Sequence, residues 1–291
     1  MCHFLSALVL RNGDVLSHPM LDSHADLVTY FKLPDTSAYI NHFAKVELRP
    51  VDWADASTWT WTVDEPTLPT WWDDVAIGAE ATLRARAAAM ILKDGEHVLI
   101  VDGCWIVAGT AKIRDVRSGR IVRVQDSAQV SDVGGSAQVR DVWDSAQVTN
   151  VGGSAQVRDV WDSAQVTNVW DSAQVTNVGG SAQVTNVGDS AQVSDVGGSA
   201  QVSDVWGSAQ VTNVGDSAQV SDVGGSAQVT NVWGSAQVTN VGGSAQVRDV
   251  WDSAQVTNVG DSAQVRDVWG SVILDESARA HLVMTKKGAS L

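Results

Sequence analysis

Residues 126–269 consist of sixteen near-identical nine-residue units, and no other feature of the chain restricts its folding so severely. In register the unit reads (Asp/Gly)-Ser-Ala-Gln-Val-(Thr/Ser/Arg)-(Asn/Asp)-Val-(Gly/Trp), as in Asp126 to Gly134 and Gly135 to Trp143. Positions two to five and position eight never vary. Ala at three and Val at five flank Gln at four, so on an extended strand two small apolar groups face one way and an amide the other. Together with Val at eight they form a stripe too narrow for one unit to bury, which stacked copies bury continuously. Ala137, Val139, Val142, Ala146, Val148 and Val151 are expected core residues of this kind. Gly/Asp at one and Asn/Asp at seven tolerate left-handed backbone, and the small Ser at two can bond nearby main chain, so these positions supply the bends. The Val, Gly and Ser content and the nine-residue period disfavour helix.

Nine residues are too few to travel round a coil, which leaves two or three units per turn, and the outward residues favour two. All four repeat arginines (Arg140, Arg158, Arg248, Arg266) and five of the seven repeat tryptophans fall in even-numbered units, which an 18-residue coil collects on one side. The expected fold is therefore mainly β: a parallel β-solenoid of nonapeptide repeats with 18 residues per coil and a small N-terminal α+β capping domain. Eight regular coils at ~4.8 Å each make a rod on the order of 40 Å long. Gly109 to Arg117 already matches the unit, Ser118 to Gln125 is a shortened copy, and the pattern decays after Trp269, as the ends of a repeat array must. The resulting division is an α+β head over 1–100, a solenoid over 101–278 with regular repeats at 126–269, and a C-terminal cap or tail over 279–291.

The head mixes both periodicities. Phe4 to Leu10, a turn at Asn12-Gly13 and Val15-Leu16 predict a β-hairpin. Ser23 with Asp26 predicts a capped short helix with Leu27, Val28 and Phe31 on its apolar face. Lys45 to Leu48 and Trp59 to Val63 read as strands. A longer helix is expected from about Asp73 to Ile91, where Val75, Ala79, Leu83, Ala87 and Ile91 recur at every fourth residue, with Thr70 and Asp73 as start signals. Lys93 to Glu96 then turns the chain into a strand at His97 to Val101.

The net charge of -15 is largely a property of the repeats, which hold sixteen Asp against four Arg. Such a surface repels phosphate backbones, and Lys286-Lys287 is too small to be a basic patch, so neither direct nucleic-acid binding nor an acidic membrane surface is expected. Cys2 and Cys104 cannot form a disulfide framework, leaving at most one bridge, and point to a reducing cytosol. The first apolar stretch lacks a basic start and no segment approaches a membrane span.

Candidate sites are few. The pair Gly179-Gly180 is followed by Ser181 to Thr185 rather than by the Gly and Asp that an ion-binding β-roll requires, so calcium is not expected. Trp143, Trp161, Trp170, Trp206, Trp233, Trp251 and Trp269 stand where Gly is equally acceptable, so they cannot fill the core. Packing along the stack is their expected role, with an aromatic strip for a partner as the alternative. With Arg140, Arg158, Arg248 and Arg266 they form the candidate partner surface. The Gln series (Gln129, Gln138, Gln147 onward) and the Asn/Asp series read as stabilising amide ladders. Thr149, Thr167 and Thr176 line an outer face that Ser and Arg interrupt too often for ice binding.

In the head, Asp22, His24 and Asp26 suggest a metal or acid-base site, but no two histidines have ligand spacing, and a capped helix start with a surface His is the favoured reading. Trp53, Trp59, Trp61, Trp71 and Trp72 read as the surface that seats the head against the first solenoid coil, with a ligand pocket as the sharper alternative. No catalytic, cofactor-binding or metal-binding residue is assigned, and no cofactor is implied.

The run Val142 to Val151 resembles the tandem repeats of uncharacterised phage and bacterial proteins that carry Asp-Ser-Ala-x-Val-x-Asn-Val-(Trp/Tyr/Gly) arrays, and this covers about half of the chain. Asn12 to Val15 and Asp22 to Leu27 are similar to leader domains of such arrays. The resemblance implies a phage origin and no activity. The expected function is a non-enzymatic rod that presents side-chain ladders for self-association or to a protein partner, in the cytoplasm of a bacterial cell or phage host. One alternative is an enzyme housed in the head, for which no nucleophile and base can be named. The other alternative is an acidic decoy that mimics DNA and inhibits a host nucleic-acid enzyme. Its charge density, one per ~3 Å, is about half that of a duplex at ~1.7 Å.

Overall fold

A computed structural model describes residues 5–34, 42–100 and 102–285 of the chain. Phe4, Val101, Cys2, His3 and Lys286-Lys287 lie outside them. The chain divides into two compact units, Met1–Lys93 with Gly103–Ala108, and Asp94–Asp102 with Gly109–Leu291.

In the first unit the hairpin forms, with β1 (Leu5–Leu10) antiparallel to β2 (Val15–Leu16). Helix α1 (His24–Tyr30) follows, with Ser23 Oγ accepting from the Asp26 amide at 3.5 Å. β3 (Phe43–Arg49) and β4 (Thr60–Val63) complete a four-stranded antiparallel sheet in the order β2-β1-β3-β4. Helix α2 (Trp72–Ala89) lays Ala79, Leu83 and Ala87 on this sheet's core. Its start differs from expectation: neither Thr70 nor Asp73 caps it, and the cap residue is Trp71, whose side chain makes no capping bond. Burial of Trp71 and Trp72 anchors the first turn instead, while Asp73 and Asp74 face the positive end of the helix dipole. Trp59 is buried in the same core, with Trp53 and Trp61 packed against it, so this tryptophan group fills the unit's own interior. β5 (Ile91–Leu92) and β7 (Cys104–Val107) pair in parallel within this unit.

The second unit is a parallel β-solenoid. After β6 (Glu96–Ile100), β8 (Lys112–Val116) and β9 (Arg120–Val124), each repeat contributes one strand, from β10 (Gln129–Val133) to β25 (Gln264–Val268). Strands of odd-numbered repeats stack in one sheet with β6 and β8, and strands of even-numbered repeats stack above β9. Gln129 aligns with Gln147 and Gln138 with Gln156, so each coil takes 18 residues. The closing elements are β26 (Ile273–Leu274), helix α3 (Glu276–Ala280) and β27 (Leu282–Thr285).

Ala137, Val139, Val142, Ala146, Val148 and Val151 are all at most 1% exposed, and their counterparts in every later repeat at most 3%. Small side chains suit the narrow space between two facing strands, and the larger Ile113, Ile121 and Leu274 take the equivalent inward places only in the degenerate end coils. Each corner is a β-turn in which the Ala amide donates to the carbonyl three residues back, as Ala137 does to Gly134 at 3.2 Å. Position one is the first central residue of that turn and has φ near +60°, for example Asp144 at 59° and Gly153 at 65°, which explains its restriction to Asp and Gly. Among the described residues no helix is long and apolar enough to cross a membrane.

Candidate functional site

The outer surface of the solenoid is built from positions one, two, four, six, seven and nine, and coil stacking brings like positions together. Asn and Asp at seven form hydrogen-bonded ladders. Asn150 Nδ2 donates to Asp132 Oδ1 at 2.5 Å, Asn168 to Asn150 at 2.8 Å and Asn186 to Asn168 at 2.8 Å. The ladders starting at Asp159, Asp195 and Asp222 have the same polarity. A donor chain of amides needs an acceptor at its foot, and a carboxylate is acceptor-only. At position one, Asp126, Asp144, Asp171, Asp189, Asp216, Asp252 and Asp261 each accept the backbone N–H of position one in the preceding coil, as Asp171 does from Gly153 at 2.8 Å. Most of the repeat acidity is therefore engaged in joining coils.

The Gln series behaves otherwise. Among the described residues no Gln side chain bonds the Gln of a neighbouring coil, so the expected glutamine ladder is not formed. The repeat glutamines stand out from the sheet, and among them only Gln246 and Gln264 have a side-chain partner, the Arg two residues on.

The tryptophans occupy the two opposite edges of the solenoid. Trp143, Trp161, Trp233, Trp251 and Trp269 share the even-repeat edge, while Trp170 and Trp206 lie on the other. Trp143 stacks on Trp161 with centroids 6.3 Å apart, and Trp233, Trp251 and Trp269 form a second stack at 6.0 and 6.3 Å. Where a stack ends, the ring lies over a glycine of the adjacent coil. A Cβ on Gly179 would sit 2.5 Å from the Trp161 ring, one on Gly188 2.8 Å from Trp206, and Gly215 lies beneath Trp233 in the same way. The Gly/Trp alternation at position nine thus has a packing logic, and only Trp161 and Trp206 remain exposed, at 39% and 44%.

The four arginines occupy the outer face of the even-repeat sheet in two pairs with different surroundings. Arg248 and Arg266, in β23 (Gln246–Val250) and β25, each donate to the Gln two residues before them. Arg140 and Arg158, in β11 (Gln138–Val142) and β13 (Gln156–Val160), do not. Arg140 reaches only Asp141, at 3.7 Å, and together with Arg120 and Arg158 it lines a cavity of about 490 Å³. Burial pushes the Asp141 carboxyl above its ordinary value, opposed by Arg140 and reinforced by Asp159 on the next coil. Arg123 lies 4.0 Å from Asp141 and 4.8 Å from the Trp143 ring centre.

The cause of the difference is the backbone at position seven. From Asn177 onward this residue is left-handed in every repeat, whereas Asp132, Asp141, Asn150, Asp159 and Asn168 have negative φ. In the early coils position seven is the aligned residue (Asp141 with Asp159), and in the late coils position six is (Arg248 with Arg266). Arg140 and Arg158 are accordingly exposed, while Arg248 and Arg266 are half-buried.

In the first unit the structure separates His24 from Asp22 and Asp26 and corrects its placement at the surface: it is 5% exposed. His24 Nε2 bonds the Val46 carbonyl at 3.0 Å and Nδ1 lies 3.5 Å from Asp64 Oδ2. Its ligating atoms and those of Glu47 and Asp64 fall within 4.8 Å of one another, a donor set that fits a divalent cation, although Glu47 is already bonded by Arg49 at 2.6 and 2.9 Å. The partners come from β3 and the segment after β4, too far along the chain for spacing to reveal them. A signal for the solenoid face was present in the residues: Thr at six always precedes Asn at seven, and Ser or Arg always precedes Asp.

No family model matches the chain, and no curated protein and no solved structure is similar enough to count as a match.

Proposed function

We propose that the protein is a non-enzymatic structural or binding scaffold whose solenoid presents side-chain ladders to a protein partner or to a second copy. The observation that carries this reading is the regularity of the outer faces, where like side chains recur at every coil from β10 to β25, at intervals of ~4.8 Å. A repeating partner surface could match that interval over many coils. The outer faces suit assembly better than the C-terminal end, because α3 covers it: Asp275 Oδ2 accepts the Asn258 amide at 2.8 Å and Ser277 Oγ the Val259 amide at 2.9 Å, leaving fewer free edge groups. The likeness of the repeats to phage and bacterial arrays supports a phage-encoded origin, and the low cysteine content a cytoplasmic setting. Engagement of most repeat carboxylates by backbone and amide donors favours a scaffold over the DNA-mimic alternative.

The test is sedimentation and electron microscopy of the purified full chain over a concentration series, with a pull-down from bacterial lysate. Concentration-dependent filaments, rings or bundles, or stoichiometric retention of one protein, are expected. A monodisperse monomer at every concentration that retains nothing contradicts the reading.

A further inference from the structure

We propose that the cavity bordered by Arg120, Arg140 and Arg158 is a binding site for a small, multiply charged oxyanion of the phosphate class. This goes beyond the scaffold reading, since a monomeric protein with no partner would bind such a ligand equally well. Two rows of side chains form the walls. Arg140 and Arg158, on adjacent coils at position six, form one, and Arg120, Gln138, Gln156 and Gln174, at position four of successive coils, form the other. Adjacent coils are ~4.8 Å apart and the two rows ~7 Å apart, which lets neighbouring guanidinium groups donate to different oxygens of one tetrahedral anion.

The donors of this cavity are largely unspent. Arg120 Nε is buried and has no hydrogen-bond partner, although a buried cationic donor without one is costly. Arg158 and the three glutamine side chains make no side-chain hydrogen bond or ion pair, and Arg140 makes only the long contact to Asp141. Asp195 is the one carboxylate on the rim. Three cations facing one anion is an inversion of charge on a chain of net charge -15. That inversion also selects for size: the acidic remainder of the surface repels a nucleic-acid duplex, whereas a small anion is screened from it within a Debye length of ~8 Å.

The chain contains its own control. Arg248 and Arg266 stand in the same Gln-Val-Arg-Asp-Val context on the same sheet, but each turns its guanidinium onto its own strand and donates to Gln246 or Gln264, leaving only the buried Arg248 Nε without a partner. Sequence alone makes the two pairs equivalent, and the backbone at position seven makes them different.

The experiment is isothermal titration of inorganic pyrophosphate, inorganic phosphate and citrate into the full chain, its R140Q/R158Q variant and its R248Q/R266Q variant, with circular dichroism to verify folding. Pyrophosphate is expected to bind tightest, with affinity falling by roughly tenfold or more in R140Q/R158Q and staying unchanged in R248Q/R266Q. R120Q, in the strand before the first regular repeat, should weaken binding in the same direction. Absence of pyrophosphate binding, an equal loss in the two double variants, or citrate binding as tightly as pyrophosphate would overturn the proposal. These outcomes are read on monomeric protein, so they are separable from failure of the scaffold to assemble.

Discussion

At the scale of single residues, the solenoid is held by positions that look interchangeable and are not. Asn150 and Asn213 make equivalent ladder bonds: each donates to an Asp in the coil below, at 2.5 and 2.8 Å, and accepts from an Asn in the coil above, at 2.8 and 2.9 Å. Only Asn213 is left-handed, with φ 54°. Replacing either by Ala removes the ladder bonds at a cost of about 1 kcal/mol, but at 213 Ala also lacks the polar side chain that lets Asn tolerate left-handed backbone, a conformation about 1–2 kcal/mol unfavourable for Ala. Urea unfolding should therefore show Asn213→Ala more destabilising than Asn150→Ala by about 1 kcal/mol. Equal midpoints would refute the assignment of two backbone states. The inward Ala and Val residues can be read from the repeat itself, because they are its invariant apolar positions and recur with the period of the stack. Left-handed position one can be read too, from its Asp/Gly restriction. The split at position seven cannot, since the residue types there are the same on both sides of it.

At the scale of elements, the nonapeptide Asp-Ser-Ala-Gln-Val-Thr-Asn-Val-Gly shows where local sequence stops deciding. It occurs at 144–152 with Asn150 at negative φ and at 252–260 with Asn258 at φ 55°. Identical strands thus take different shapes according to the coils beside them, which is a tertiary effect outside any local pattern. The hairpin and both head helices follow from periodicity and turn residues, but α2 is started by buried tryptophans rather than by the expected polar cap, because core packing outweighs one hydrogen bond. His24 is likewise defined by contacts to Val46 and Asp64 that no spacing rule anticipates. At the far end, α3 is capped as a short helix should be: Asp275 accepts from Ala278 and Ser277 as well as from Asn258. These bonds, that from Asn258 first, hold its carboxyl below the ordinary value of 3.8. Its contribution is full above that ordinary value and is lost as pH falls through the lower folded-state value. Asp275→Ala should cost about 1 kcal/mol at neutral pH and nothing once the wild-type carboxyl is protonated. Hydrogen exchange of the Asn258 amide against pH reads this directly, and a pH-independent difference between variant and wild type would exclude the cap.

At the scale of the solenoid as a whole, the proposed function rests on a constant axial step that brings like positions 18 residues apart into register. The acidity of the chain, which from composition alone suggests an anionic face, is largely built into that step, because the carboxylates at positions one and seven bond the neighbouring coil. What remains free is the set of exposed indoles, glutamines and the early arginines, and these are the groups available to a partner or ligand. Pulsed electron paramagnetic resonance on spin labels tests the step itself. With Cys2 and Cys104 replaced by Ser, labels at Gln129 paired with Gln183, Gln219 or Gln255 stand three, five and seven coils apart on one sheet. The account predicts narrow distance distributions that lengthen by about 10 Å from each pair to the next. An increment of about two thirds of that, as three repeats per coil would give, or broad distributions with no increment, would contradict it.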